Sequence, residues 1–187
     1  MKVQRGDFGY IKAKKKKSLT GTLCMAAIGV AIFLTGLFLN KMSNRNIFTV
    51  IAILFVLPGA KFLVAYIVTF PYHSVSTERY DRVKKVLPKK MVLYTDLVIT
   101  SPEKVMNLDF VAIGNGQVVG VTAEKEKELS YIRNYLTKGV QNWGNGYKVK
   151  IVDSEKLFIS ELERVEICEV DEEEEKTVKS YITSLIV

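Results

Sequence analysis

The 187-residue chain has one histidine and two cysteines, and that scarcity removes whole classes of chemistry before any pattern is read. Cys24 falls inside a long apolar run and Cys168 in an acidic C-terminal region, so no intrachain disulfide is expected. Neither cysteine has a second cysteine or a histidine at zinc-ligand spacing. His73 follows Tyr72 at the end of an apolar run, where amphipathic rings sit at a membrane boundary. A mechanism that needs a histidine base deeper in a folded domain is thereby excluded. Internal repeats and low-complexity linkers are also absent.

What the chain has is apolar sequence, unevenly spread. Residues 20–39 (TGTLCMAAIGVAIFLTGLFL) carry no charge, and residues 47–70 are interrupted only by Lys61. Each run is long enough for a hydrocarbon core of roughly 30 Å. The first lies too deep in the chain and is too long for a typical cleaved signal, so both are read as membrane spans. Pro58 and Gly59 near the middle of the second predict a kink. Lys61, beside them, is an ionisable group at mid-span with no Asp or Glu in either run. It is read as a structural lysine that snorkels, faces a helix interface or contacts carbonyls freed by the kink. The alternative makes it functional, in a small membrane sensor or transporter subunit whose activity lies in the spans.

Charge fixes an expected orientation. Lys2, Arg5, Lys12 and the run Lys14, Lys15, Lys16 and Lys17 precede the first span, and Arg79, Arg82, Lys84, Lys85, Lys89 and Lys90 follow the second. The connecting loop holds Lys41 and Arg45. The excess places both termini in the cytoplasm of a two-pass cell-membrane protein. The net charge of +7 could suggest nucleic acid, but from Pro71 onward 17 basic residues face 19 acidic ones. The positive charge is juxtamembrane, and Lys14 to Lys17 are read as contacts to anionic lipid head groups. Domain organisation follows: a flexible basic arm at 1–18, a transmembrane hairpin at 19–70, and a cytoplasmic α/β domain at 71–187.

Within that domain, residues 76–86 read as a capped helix and 91–100 as a strand. Residues 108–125 (LDFVAIGNGQVVGVTAEK) read as two apolar strands around an Asn115-Gly116 turn, whose type I′ geometry needs positive φ at both positions. Residues 126–143 form an amphipathic helix with Leu129, Ile132, Leu136 and Val140 on one face, stopped by Gly144-Asn145-Gly146. Residues 148–152 and 164–170 alternate as strands, and 154–163 fit helix or strand. A final helix follows the acidic run from Asp171, which suits a helix N-terminus. The order is that of an α/β domain with a mixed sheet. Asp109 sits inside the first hairpin strand and Glu124 ends the second, and a buried carboxylate must be compensated by a metal ion, a hydrogen-bonding neighbour or water at the sheet edge.

The helix at 76–86 and the strands LYTDLVI, LDFVAIG and GQVVGVTAEK, with the helix after them, resemble the nuclease-related domain, a branch of the restriction-endonuclease-like PD-(D/E)XK superfamily. The similarity covers roughly residues 76–153 and rests on topology more than identities. It implies an Asp, a Glu and a Lys converging on Mg²⁺, which would polarise phosphate and activate water for phosphodiester cleavage. Asp109 matches the first position. Without gaps the E-x-K triplet falls on Thr122-Ala123-Glu124; a shift of two puts Glu124 in the carboxylate position but Glu126 where the lysine belongs, and the family's histidine is Phe110. An active enzyme would have to use Asp109, Glu124 and Lys125, with Asp109 and Glu124 on the metal.

The expectation is therefore a membrane-anchored, non-catalytic nuclease-like binding or regulatory module, needing no cofactor. It would work at the inner face of a bacterial-type membrane with lipids and an unidentified protein as partners. Nucleic acid is disfavoured by the acidic balance of the domain. In this reading Asp109 is hydrogen-bonded to Thr122 or Lys125. The rival is a membrane-tethered Mg²⁺-dependent nuclease using Asp109 and Glu124.

Overall fold

The computed structural model describes residues 3–41, 43, 45–123, 128–166, 168 and 170–187. Contacts divide the chain into two units, Lys12–Pro71 and a second that joins the residues up to Ile11 with Tyr72–Val187.

The first unit is helical. Helix α1 is Tyr10–Leu39, and after a short loop come α2 (Ile47–Leu54) and α3 (Val56–Thr69). The stretch Ile47–Thr69 and α1 are each long and apolar enough to cross a membrane. Near the expected kink, regular helix is interrupted at Phe55 alone, which keeps right-handed helical angles. Pro58 lacks the N–H that would bond the Leu54 carbonyl, so the helix breaks one turn before the proline. Glycines let the two runs approach: a Cβ on Gly36 would lie 2.4 Å from that of Phe48, and one on Gly21 would lie 2.9 Å from the Phe62 ring.

Among the described residues, 3–18 do not form one flexible arm. Helix α1 starts at Tyr10, the turn before it is closed by Gln4 donating to the Asp7 carboxylate at 2.7 Å, and Tyr10 and Ile11 are buried. Two adjacent buried side chains make no periodic face, which is why pattern alone missed them.

The second unit is an α/β sandwich. Helix α4 (Thr77–Val86), capped by Ser76, leads into β1 (Val92–Thr100), β2 (Val105–Gly114) and β3 (Gln117–Thr122). Then follow α5 (Leu129–Gln141), β4 (Lys148–Val152), α6 (Glu155–Glu163) and α7 (Glu172–Ser184). The sheet runs β1-β2-β3-β4, the first three antiparallel and β4 parallel to β3. At the hairpin turn Asn115 (φ 51°) and Gly116 (φ 70°) both adopt the expected positive φ. The segment 154–163 resolves as helix α6. The strand expected at 164–170 is absent among the described residues, which have no regular structure.

Each sheet face has its own core. Leu97, Ile99, Met106, Leu108, Val111 and Ile113 pack with α5 and α7. Phe110, Ala112, Val119 and Val121 pack with Val83 of α4 and Phe158 and Leu162 of α6. Along β2 the side chains facing the α5/α7 core change from even numbers (Met106, Leu108) to odd (Val111, Ile113), because the pairing with β3 shifts between Leu108↔Thr122 and Phe110↔Val121. Asp109 occupies that bulge, and a bulge re-aims side chains. In β1 the parity changes at the same level: Tyr94 packs against the α5/α7 core, as do Leu97 and Ile99. Asp96 lies between, at φ 58°. It falls opposite Asp109, since Thr95↔Phe110 and Leu97↔Leu108 flank the two. The sheet thus bends across two strands at a pair of facing aspartates.

Candidate functional site

Asp109 is 7% exposed, and an arginine reaches it. Arg79 Nη1 on α4 lies 2.8 Å from Asp109 Oδ2, while Arg79 Nε lies 2.6 Å from Glu155 Oε2 at the start of α6. Arg82 Nε sits 3.1 Å from the other Glu155 oxygen, and the Arg79 guanidinium lies 5.6 Å from the centre of the Phe110 ring. Two cations and two carboxylates thus tie α4, the β2 bulge and α6 together. Burial pulls the Arg79 pKa down, and the hydrogen bonds and charges of Glu155 and Asp109 outweigh it, leaving the guanidinium above its ordinary value.

This arrangement answers what compensates for the buried acid of the middle strand. The neighbour expected across the hairpin, Thr122, donates its hydroxyl to the Val152 carbonyl at 3.5 Å. Glu124 and Lys125, the other two residues of the implied nuclease site, lie outside the described residues. Among the described residues no group of three or more His, Cys, Asp and Glu side chains is placed to hold a metal ion. A divalent cation at Asp109 would have to displace the Arg79 guanidinium or bear its repulsion, so the observed donor set does not suit Mg²⁺.

Asp96 is the acid that the sequence reading passed over, although it carries the same signal as Asp109, a carboxylate in an apolar strand. It is 1% exposed. Its oxygens accept from the backbone N–H of Val75 at 2.9 Å and of Ile11 at 3.4 Å, with further hydrogen bonds from the Ser74 side chain and the Gly9 backbone. Burial pushes its pKa up, and these four hydrogen bonds pull against that without cancelling it. Arg79 and Glu155 left no comparable sequence signal, because each is an ordinary charge on an amphipathic helix.

A polar groove of about 840 Å³ lies elsewhere, lined by Lys90, Tyr94, Asn115 and residues of α7. It touches neither Asp109 nor Arg79.

In the helical unit the packing register fixes the depth of Lys61. Gly21 meets Phe62 and Gly59 meets Met25, so Lys61 stands level with residues 22–23 of α1. That is five or six residues from Lys17, or about 8 to 9 Å at 1.5 Å per residue. Lys61 is exposed on α3 rather than held between the helices. A lysine stem covers most of that distance, so the position suits snorkelling toward the level of the basic run. Of Lys14, Lys15, Lys16 and Lys17, all on α1, Lys15 Nζ donates to the Phe70 carbonyl at 2.7 Å, closing the end of α3. Lys16 and Lys17 are exposed.

The chain matches no family model, no curated protein and no solved structure. Nothing in these comparisons bears on the resemblance to the nuclease-related domain expected from the sequence.

Proposed function

We propose that this chain is a membrane-anchored, non-catalytic nuclease-like module that binds a partner or regulates one at the cytoplasmic face. The observation that carries the reading is the Arg79–Asp109 ion pair at the β2 bulge, with Glu155 on the far side of the guanidinium. The carboxylate that a nuclease of this type would give to Mg²⁺ already has its counter-charge. The near-neutral balance beyond Pro71 supports a protein partner over duplex nucleic acid, whose binding depends on neutralising phosphates. The two apolar helices supply the anchor, and the exposed Lys16 and Lys17 suit anionic lipid.

The test is incubation of the full-length protein in lipid nanodiscs with linear duplex and single-stranded DNA and Mg²⁺ or Mn²⁺. No cleavage above that of empty nanodiscs is expected. Cleavage that disappears in Asp109→Ala would overturn the reading in favour of a tethered nuclease.

A further inference from the structure

Asp96 breaks three local rules at once. It is an acid in the middle of a strand, it is buried, and it adopts a left-handed φ of 58°. Asp tolerates that region, but holding it inside a strand is strained. Its neighbour Asp109 has an arginine; Asp96 has only N–H and hydroxyl donors among the described residues. Violations concentrated on one residue are expected where a site does something besides packing.

The identity of the donors says what. Gly9 and Ile11 are the last residues before the chain passes into the helical unit, and Ser74 and Val75 are among the first after it returns at Tyr72. Gly9 and Ile11 also bracket the start of α1, which has no acid in its first turn and no capping side chain of its own at Gly9. The Asp96 carboxylate acts as a cap supplied from β1, meeting N–H groups that the helix leaves unsatisfied. Val75 and Ser74 directly precede Ser76, the cap of α4, and α4 carries Arg79. One carboxylate therefore gathers the two segments that flank the helical unit in sequence and lies across the sheet from the acid that Arg79 pairs with.

We propose that Asp96 is a latch: it fixes the entry and exit legs of the helical unit to the sheet bend, so that pulling either leg loosens the other and reaches the Arg79–Asp109 pair through α4. The segments it joins lie more than sixty residues apart in sequence, and no strand or helix contains Gly9 or Val75. Without the latch their amides have no reason to be protected. This goes beyond the proposed function and stands whether or not the domain cleaves nucleic acid.

Hydrogen exchange on the full-length protein in nanodiscs tests it, read at amide resolution. In the wild type Gly9, Ile11 and Val75 should exchange slowly, although two of the three lie in loops. Asp96→Asn keeps the shape and tolerates the backbone, and Asp96→Gly keeps the φ and removes both acceptors. Either should speed exchange at both legs together by roughly tenfold or more, with smaller increases at residues 106–110 and none in α5. Loop-rate exchange of Val75 and Gly9 in the wild type would overturn the proposal without any variant. So would loosening of one leg alone in Asp96→Asn, should the glycine variant fail to fold.

Discussion

At the scale of single residues, the second unit is governed by how it treats polar groups taken out of water. Arg79 keeps 27% of its side chain exposed while Asp109 is almost enclosed, so the two partners of the ion pair are not equivalent. Removing the arginine takes a charged donor at 2.8 Å from a nearly enclosed carboxylate; removing the aspartate leaves an arginine that still has Glu155 and water. Arg79→Ala should cost about 2 to 3 kcal/mol in denaturant unfolding, below the usual range for a fully buried pair, and Asp109→Ala should cost less. The double variant should be little worse than Arg79→Ala alone, and additive losses would contradict the pairing. Tyr147 presents the opposite case. It is 4% exposed, its hydroxyl has no hydrogen-bond partner among the described residues, and burial, then Glu175 and Glu174, push its pKa up to about 12. The folded state holds the phenol neutral where the unfolded chain ionises it, so stability is full below pH 10 and falls as pH rises toward about 12. Tyr147→Phe should add about 1 kcal/mol at neutral pH and flatten the alkaline limb of the unfolding profile. A loss of stability at neutral pH would mean that the hydroxyl has a partner.

At the scale of elements, periodicity and turn chemistry made most of the second unit readable. The Asn115-Gly116 turn, the Leu129, Ile132, Leu136 and Val140 face of α5, and the cap at Ser76 are local signals, and each element formed where its signal lay. The segment 164–170 shows where alternation misleads. Val165 packs with the core under α4 and α6 and Val170 with the core under α5 and α7. Both described valines lie outside regular structure, so apolar side chains here reach the two cores without a strand. Asp109 was legible as a buried acid, but its partner was not. Arg79 is thirty residues away and Glu155 lies on another helix, and only the tertiary fold brings them together. In the helical unit, pairing depends on glycine at points of closest approach. Gly36→Val would place branched carbons where the Phe48 side chain already lies, so the helices should separate. Cysteine pairs engineered across the two helices should then crosslink markedly less in membranes, while Gly29→Ala, whose added carbon would come no closer than 3.6 Å to the facing helix, leaves that crosslinking unchanged.

At the scale of the whole molecule, charge and hydropathy divide the chain. The residues up to Phe70 hold the apolar helices and all of the positive excess; those from Pro71 on are slightly acidic in balance and fold around a bent sheet. The bend is where the two aspartates face each other, and both are committed, Asp96 to the chain segments on either side of the helical unit and Asp109 to Arg79. That double commitment is what the proposal of a non-catalytic module rests on. The thermal unfolding midpoint of the full-length protein in nanodiscs, taken with and without millimolar Mn²⁺, measures it directly, because an ion that binds the folded state must raise its stability. The account predicts no difference between the two curves. A rise of several degrees that vanishes in Asp109→Ala would show the carboxylate holding a metal, and would contradict it.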